Sequence, residues 1–345
     1  MTLQIGIIGL GFMGRCHFET WAKVRGARLA AVCDIDPRKR AGDWSGTAGN
    51  LGGSAARTDL SGLRIYARAE EMFADPDLDV VDITLPTYLH AEYAVAALRA
   101  GKHVICEKPM ARTSTEARRM QAAAKAANRQ LCVAQCIRFW PAYAVAAEQV
   151  RTGKLGLVVS ATFRRVSPKP TWSWKNWLMD ETKSGGCVLD LHIHDADFVL
   201  SLFGPPQAVS SQGSAAGPGG VDHVITSYRY ADGKLVTAEG AWEHTAGFPF
   251  SMTFVLAGEK ASLTLAEDGK LRRHDAKGTN VLPVPEGDGY LHELQHFAGC
   301  LARNRPSSVV PPGAAAASVA LIAAEMTSLK RGREVRMKLS DPRGY

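Results

Sequence analysis

The first half of the chain alternates short apolar runs with longer segments of helical period. Residues 3–9, 28–33, 63–66, 79–84, 103–106 and 131–134 are apolar or β-branched runs of strand length. Between them, residues 15–24, 69–73, 90–100 and 113–128 read as helices. Gly101 stops the third of these, and Thr113 or Ser114 ahead of Glu116 forms a capping box on the fourth. Strand and helix in strict alternation predict a parallel, doubly wound sheet. Residues 41–62, rich in Gly, Ser, Thr and Ala, interrupt it as a long surface excursion.

The pattern changes near residue 136. A helix over 142–152 and an alternating strand over 157–166 precede a tryptophan-rich loop, 171–177. Ser184-Gly185-Gly186 then leads into a helix over 187–203, ended by Gly204-Pro205-Pro206. Strands follow at 208–212, 223–230, 235–243, 251–257 and 261–266, with hairpin turns at Asp232-Gly233 and Gly258-Glu259. Amphipathic helices over 290–303 and 314–330 close the pattern. Two domains are therefore expected: an α/β domain over 1–135, and an α+β domain over 136–345 with a large, mainly antiparallel sheet.

The first strand runs into Gly9-Leu10-Gly11-Phe12-Met13-Gly14, and a helix starts at once. Strand, glycine turn and helix in that order form the dinucleotide fingerprint of a Rossmann domain. Gly9 permits the tight turn, Gly11 lets backbone approach a pyrophosphate, and Gly14 lets helix and strand pack closely. The helix N-terminus adds free N–H groups and partial positive charge. The second strand ends at Asp34, twenty residues after Gly14, where a carboxylate can accept two ribose hydroxyls and repel a 2′-phosphate. NAD is therefore the expected cofactor. Arg38 and Lys39 lie close enough in sequence to keep NADP as the alternative. In such sheets ligands bind at the carboxyl ends of strands. Gly9, Asp34, Leu85-Pro86, Glu107-Lys108-Pro109 and Gln135 all fall at such ends. The expected cofactor contacts are Gly9, Gly11, Phe12, Met13, Gly14, Asp34, Arg38, Thr84, Leu85, Pro86, His90, Glu107, Lys108 and Gln135.

Composition narrows the classes. The 345 residues are 46% hydrophobic and 22% charged, as in a globular protein. The net charge of +7 is scattered, with no basic run interleaved with aromatics, so nucleic acid is not an expected partner. It suits steering of an anionic cofactor. The seven cysteines include no CxxC pair and read as reduced thiols of a cytoplasmic protein. There is no signal peptide pattern and no apolar run of membrane-spanning length.

Asp190 and His194 stand four apart on a predicted helix, so they share a face and form a candidate proton-transfer pair. His192, His194 and Asp195 also offer metal donors, but their spacing matches no zinc motif, and no metal is expected.

The glycine turn, Thr84-Leu85-Pro86 with His90, Glu107-Lys108-Pro109, and Gly185-Gly186 followed by Asp190 and His194 occur together and in order. In this the chain resembles the glucose–fructose oxidoreductase and inositol dehydrogenase (Gfo/Idh/MocA) family over nearly its whole length. The resemblance implies that Lys108 is the catalytic lysine beside the nicotinamide ribose, with His194 as general base and Asp190 its partner. A cation at Lys108 answers a physical need as well, because it stabilises a developing alkoxide. The resemblance, together with the sugar-stacking character of Trp172, Trp174 and Trp177, implies a dehydrogenase for a secondary hydroxyl of a sugar or cyclic polyol. Lys108, Arg138, Arg165, Trp174, Trp177, Asp190, His194 and Tyr290 are the expected substrate contacts. The expected arrangement is a cleft with Lys108 on one wall and His194 on the other. The resemblance also implies a homodimer or homotetramer. A redox-assisted glycosidase or lyase and a non-catalytic NAD-binding sensor are the alternatives on the same scaffold.

Overall fold

A computed structural model describes residues 2–47, 49, 57–215 and 220–338. Part of the expected excursion over 41–62 lies outside these residues. The chain divides into two compact units. The first comprises Met1–Cys136, Thr171–Trp177 and Tyr290–Ala316; the second comprises Ile137–Pro170, Leu178–Gly289 and Ala317–Tyr345. The expected cut at 135/136 is thus accompanied by two later segments that return to the first unit.

The first unit is the Rossmann-type domain. It contains β1 (Leu3–Ile8), α1 (Phe12–Trp21), β2 (Ala27–Cys33), α2 (Pro37–Arg40), β3 (Arg64–Tyr66), α3 (Ala69–Ala74), β4 (Val80–Ile83), α4 (Thr87–Arg99), β5 (His103–Glu107), α5 (Ser114–Ala127) and β6 (Leu131–Ala134). The six strands are parallel in the order β3-β2-β1-β4-β5-β6. The order reverses between β1 and β4, which places the ligand crevice at their carboxyl ends. The strands read as largely apolar runs, as in a parallel sheet buried on both faces; Ile5, Ile7, Val80, Val81 and Ile83 have no exposed surface. The capping box forms as expected, with Thr113 and Glu116 exchanging side-chain and backbone bonds. The returning helix is built on buried Leu294, Phe297, Ala298 and Leu301. Its Gln295 side chain bonds both the N–H and the carbonyl of Arg25, at 2.9 and 3.1 Å.

The second unit contains α6 (Pro141–Arg151), β7 (Val158–Pro168), α7 (Glu181–Ser184), α8 (Ile193–Phe203), β8 (Ala208–Ser214), β9 (His223–Arg229), β10 (Leu235–His244), β11 (Ser251–Gly258), β12 (Ser262–Leu265), β13 (Leu271–Asp275) and β14 (Gly278–Val281). In chain order α9 (Gly289–Ala302), the returning helix, comes next, followed by α10 (Pro312–Arg331) and β15 (Val335–Arg336). Nine strands form one sheet, β14-β13-β12-β11-β7-β10-β9-β8-β15, antiparallel at every pairing except β7 with β10. One face is apolar, and Phe163 of β7 and Phe254 of β11 meet Phe198 of α8 and Tyr143 of α6 there in edge-to-face ring contacts. The other face carries a cross-strand row of Thr264, Val255, Thr162, Thr237, Ser227 and Ser210.

Two departures from expectation stand out. Strands β13, β14 and β15 were not expected; β13 carries Arg272, Arg273 and His274 in place of an apolar alternation and is paired on both sides, with β14 at the sheet edge. The helix expected over 187–203 contains a π-turn, Val188–His192, ahead of α8. The reason lies in the sheet beneath: His192 is fully buried against Gly240 of β10, and its Nε2 meets Glu325 Oε2 at 2.9 Å. None of the seven cysteines is in a disulfide. Cys16, the one not buried outright, is pushed up to about 11 by burial, which excludes it as a ready thiolate. Among the described residues no helix is long and apolar enough to cross a membrane.

Candidate active site

The glycine turn of the first unit is built for close approach. Gly9 has φ +94°, and a Cβ there would stand 3.0 Å from the Thr84 carbonyl oxygen. A Cβ on Gly14 would fall 1.9 Å from the Gly9 oxygen, so only glycine allows α1 to lie on β1. Gly11 faces open space, with nothing within 4 Å of a would-be Cβ. It caps α1 without a side-chain bond, and no acid occupies the first turn. The helix N-terminus is thus left for an anion. Thr84 Oγ1 donates to the Gly9 carbonyl at 2.7 Å and ties the end of β4 to the turn.

Asp34 follows β2. Its Oδ2 accepts the Leu10 N–H at 2.7 Å and its Oδ1 the Asp36 N–H at 2.8 Å. The carboxylate is thereby fixed beside the glycine turn with acceptor capacity left for hydroxyls. Arg38 is turned to Asp36, with Nη2 to Oδ2 at 3.1 Å. Gln135, just past β6, has a buried Nε2 with no hydrogen-bond partner among the described residues. A buried amide donor without a partner is costly unless a ligand receives it. The open glycine turn, the fixed carboxylate and this amide together fit NAD.

Lys108 follows β5 in a turn held from two sides. On one side Glu107 folds its carboxylate back: Oε2 accepts the Lys108 N–H at 2.9 Å. Glu107 Oε1 lies 3.1 Å from His17 Nε2, and His17 Nδ1 lies 2.9 Å from Asp82 Oδ2. Trp21 Nε1 donates to the same Asp82 oxygen at 2.7 Å. On the other side the Pro109 carbonyl lies 2.8 Å from His90 Nδ1, whose Nε2 lies 2.7 Å from the Leu85 carbonyl. His90 was expected to touch the cofactor. It is 1% exposed and faces carbonyls with both nitrogens, which fastens the Leu85 loop to the Lys108 turn. Burial lowers its pKa against those two carbonyls, and a neutral ring donates to one of them at a time. Tyr290 packs beside this network, its ring 6.4 Å from that of His17. Burial, then Cys136 and Glu107, push its phenol well above the usual range.

The tryptophan loop belongs to the first unit. Trp172 meets Phe12 of the glycine turn edge-on, with ring centroids 5.5 Å apart. Trp174 is exposed, and Lys175 Nζ lies 4.7 Å above its ring. Trp177 is half-buried. Lys175 and Asn176 both hold left-handed backbone, at φ 49° and 54°, so the loop is locally strained.

In the second unit every residue from Gly186 to Leu200 is buried except Asp190 and His194. The π-turn and the first turn of α8 therefore open at these two positions alone. Neighbouring charges hold the segment down. Arg165 is 2% exposed and meets Asp195 at 2.7 and 3.2 Å. Arg138 grips Asp197 with two bonds, at 2.7 and 2.8 Å, and Ser318 Oγ donates to the same carboxylate at 2.6 Å. Arg138 and Arg165 were expected as substrate contacts. In the structure their guanidiniums pair with these buried carboxylates. Among the described residues no cluster of His, Cys, Asp and Glu is arranged to hold a metal.

Two site features escaped the sequence reading. His17 and Asp82 form the buried chain behind Lys108. Their signals were a histidine on α1 three residues past Gly14 and an acid inside an otherwise apolar strand.

Comparison with known proteins agrees with this geometry. Residues 3–135 match the model of an oxidoreductase family with an NAD-binding Rossmann fold. Residues 143–264 match the GFO/IDH/MocA C-terminal domain. A levoglucosan dehydrogenase of Pseudarthrobacter phenanthrenivorans is 31% identical over 291 residues, 76% of this chain and 73% of that protein. A 1,5-anhydro-D-fructose reductase of Ensifer adhaerens is 29% identical over 301 residues, 83% of this chain and 89% of that protein. The solved structure of levoglucosan dehydrogenase in complex with NADH and L-sorbose superposes with a TM-score of 0.85 at 25% identity, covering 99% of this chain and 100% of that one.

Proposed function

The chain belongs to the GFO/IDH/MocA oxidoreductase family, and we propose that it is an NAD-dependent dehydrogenase of a secondary hydroxyl in a sugar, sugar derivative or cyclic polyol, or reduces the corresponding ketone. The relatives named as sugar dehydrogenases and reductases support the substrate class. The observation that carries the reading is the opening of a sealed helical segment at Asp190 and His194 alone. His194 takes the hydroxyl proton, and Asp190 orients the imidazole. Lys108 stabilises the developing oxyanion by its charge. NAD, when bound, accepts the hydride. Trp174 and Trp177 offer ring faces to a sugar. Arg138 and Arg165 act one step back, by anchoring the helix that carries His194.

A homo-oligomer is part of the same proposal. The outer row from Thr264 to Ser210 contains no charge, and Ile225, Leu235 and Val255 are exposed on that face. Such a face suits a second copy of the chain. A panel of sugars and inositols, screened for cofactor reduction with NAD and with NADP, tests the activity. No turnover across the panel in either direction overturns it.

A further inference from the structure

His17 takes no part in the chemistry proposed above, yet it has no exposed surface and touches two carboxylates. Its Nδ1 lies 2.9 Å from Asp82 and its Nε2 3.1 Å from Glu107. A neutral ring would turn a lone pair onto one of these anions; an imidazolium donates to both. Burial by itself disfavours the cation, but Asp82 and then Glu107 outweigh it and hold His17 well above its usual range. The titratable groups around it are Asp82 from β4, Glu107 from β5, Tyr290 from α9 and Cys16 beside it on α1.

The far oxygen of Glu107 receives the Lys108 N–H. The orientation of that carboxylate therefore decides where the Lys108 backbone starts. A carboxylate with one donor can rotate; one held by a ring from α1 and an amide from its own turn cannot. We infer that His17 is a positioning residue for Lys108, acting through Glu107 and anchored in turn by Asp82. The inference rests on the reading of Lys108 as the group that meets the reacting oxygen. It explains why a fully buried ionic chain runs from Trp21 and Asp82 to Glu107, where burial would otherwise favour apolar packing.

The test uses the full chain in three measurements. In the wild type, histidine-labelled protein gives both ring N–H signals of His17, and they persist to about pH 8, above the ordinary histidine range. In His17→Gln, which keeps one donor and loses the charge, kcat on the best sugar of the panel falls about 10- to 100-fold, the scale of a small misplacement of a reacting group. The dissociation constant of NADH, read by its fluorescence, stays within about threefold, since the glycine turn and Asp34 are untouched. The Nζ signal of Lys108 shifts in the same variant. If His17→Gln does not fold, His17→Gln with Asp82→Asn removes the unpaired anion and takes its place in every measurement. A single ring N–H titrating below about pH 7 overturns the inference. So does a folded variant with kcat within about twofold of wild type and an unmoved Lys108 signal. A wild type that oxidises no sugar, but whose Lys108 signal moves in His17→Gln, overturns the dehydrogenase reading and supports this one.

Discussion

A Cβ placed on Gly240 would stand 2.7 Å from the Cβ of His192. The obstructing atom is at the root of the side chain, so no rotamer change relieves it. Gly240→Ala should push the π-turn away from β10, destabilising the protein by about 1–3 kcal/mol. Because His194 follows two residues later, turnover should fall while NAD affinity holds. Calorimetric melting and NADH titration of the variant check both; an unchanged melting temperature would show that the helix has room to shift.

Lys108 and His194 should fail differently when changed. Lys108→Met keeps length and removes the cation, which should lower turnover roughly 100- to 1,000-fold. His194→Asn should lower it roughly 100- to 10,000-fold and erase the acid limb of the pH–rate profile for oxidation, because only neutral imidazole accepts the proton. Turnover against pH for both variants decides this. A His194→Asn enzyme with the same acid limb would move the base elsewhere.

Cofactor choice should follow Asp34. The wild type should bind NAD at least about tenfold more tightly than NADP, and Asp34→Ala should narrow that ratio. Asp34→Ala also leaves the Leu10 N–H without its acceptor, so some loss of stability should accompany it. Calorimetric titration with both cofactors settles the order. Tighter NADP binding by the wild type would give the decision to Arg38 or Lys39.

Asp75 offers a test by acid. It accepts the Tyr66 hydroxyl at 2.7 Å and the Asp77 N–H at 2.9 Å, and Arg64 Nε lies 2.8 Å away. Burial by itself would raise its pKa, but these partners hold it below the usual carboxylate range. A depressed folded value contributes stability above the unfolded value of about 3.9, and that contribution is lost as pH falls through the folded value. Asp75→Asn should therefore cost about 1–3 kcal/mol at neutral pH, with the gap closing as pH falls below the unfolded value and through the lowered folded one. Melting of both proteins across that range measures it.

The sequence was most readable where local rules act alone. The glycine turn, the strand ending at Asp34 and the Thr113 capping box need only neighbours along the chain, and each forms where expected. What the sequence did not show shares a different cause. The ion pairs of Arg138 and Arg165 were not legible because Asp197 and Asp195 lie 59 and 30 positions away. The π-turn was invisible because Gly240 and Glu325, which seat His192, come from β10 and α10. His90 carried a motif position correctly, yet its role depends on the Pro109 carbonyl brought to it by folding.

The loop at Trp172 and the helix α9 join the first unit long after its sheet is complete in sequence. On the ribosome, strands β1 to β6 emerge well before α9, which joins the same unit. At ~5–20 residues per second the wait from residue 136 to residue 316 is roughly 10 to 40 s. During that interval the apolar surface of the first unit that will bury Leu294, Phe297 and Leu301 stands open to chaperones and to other unfinished chains.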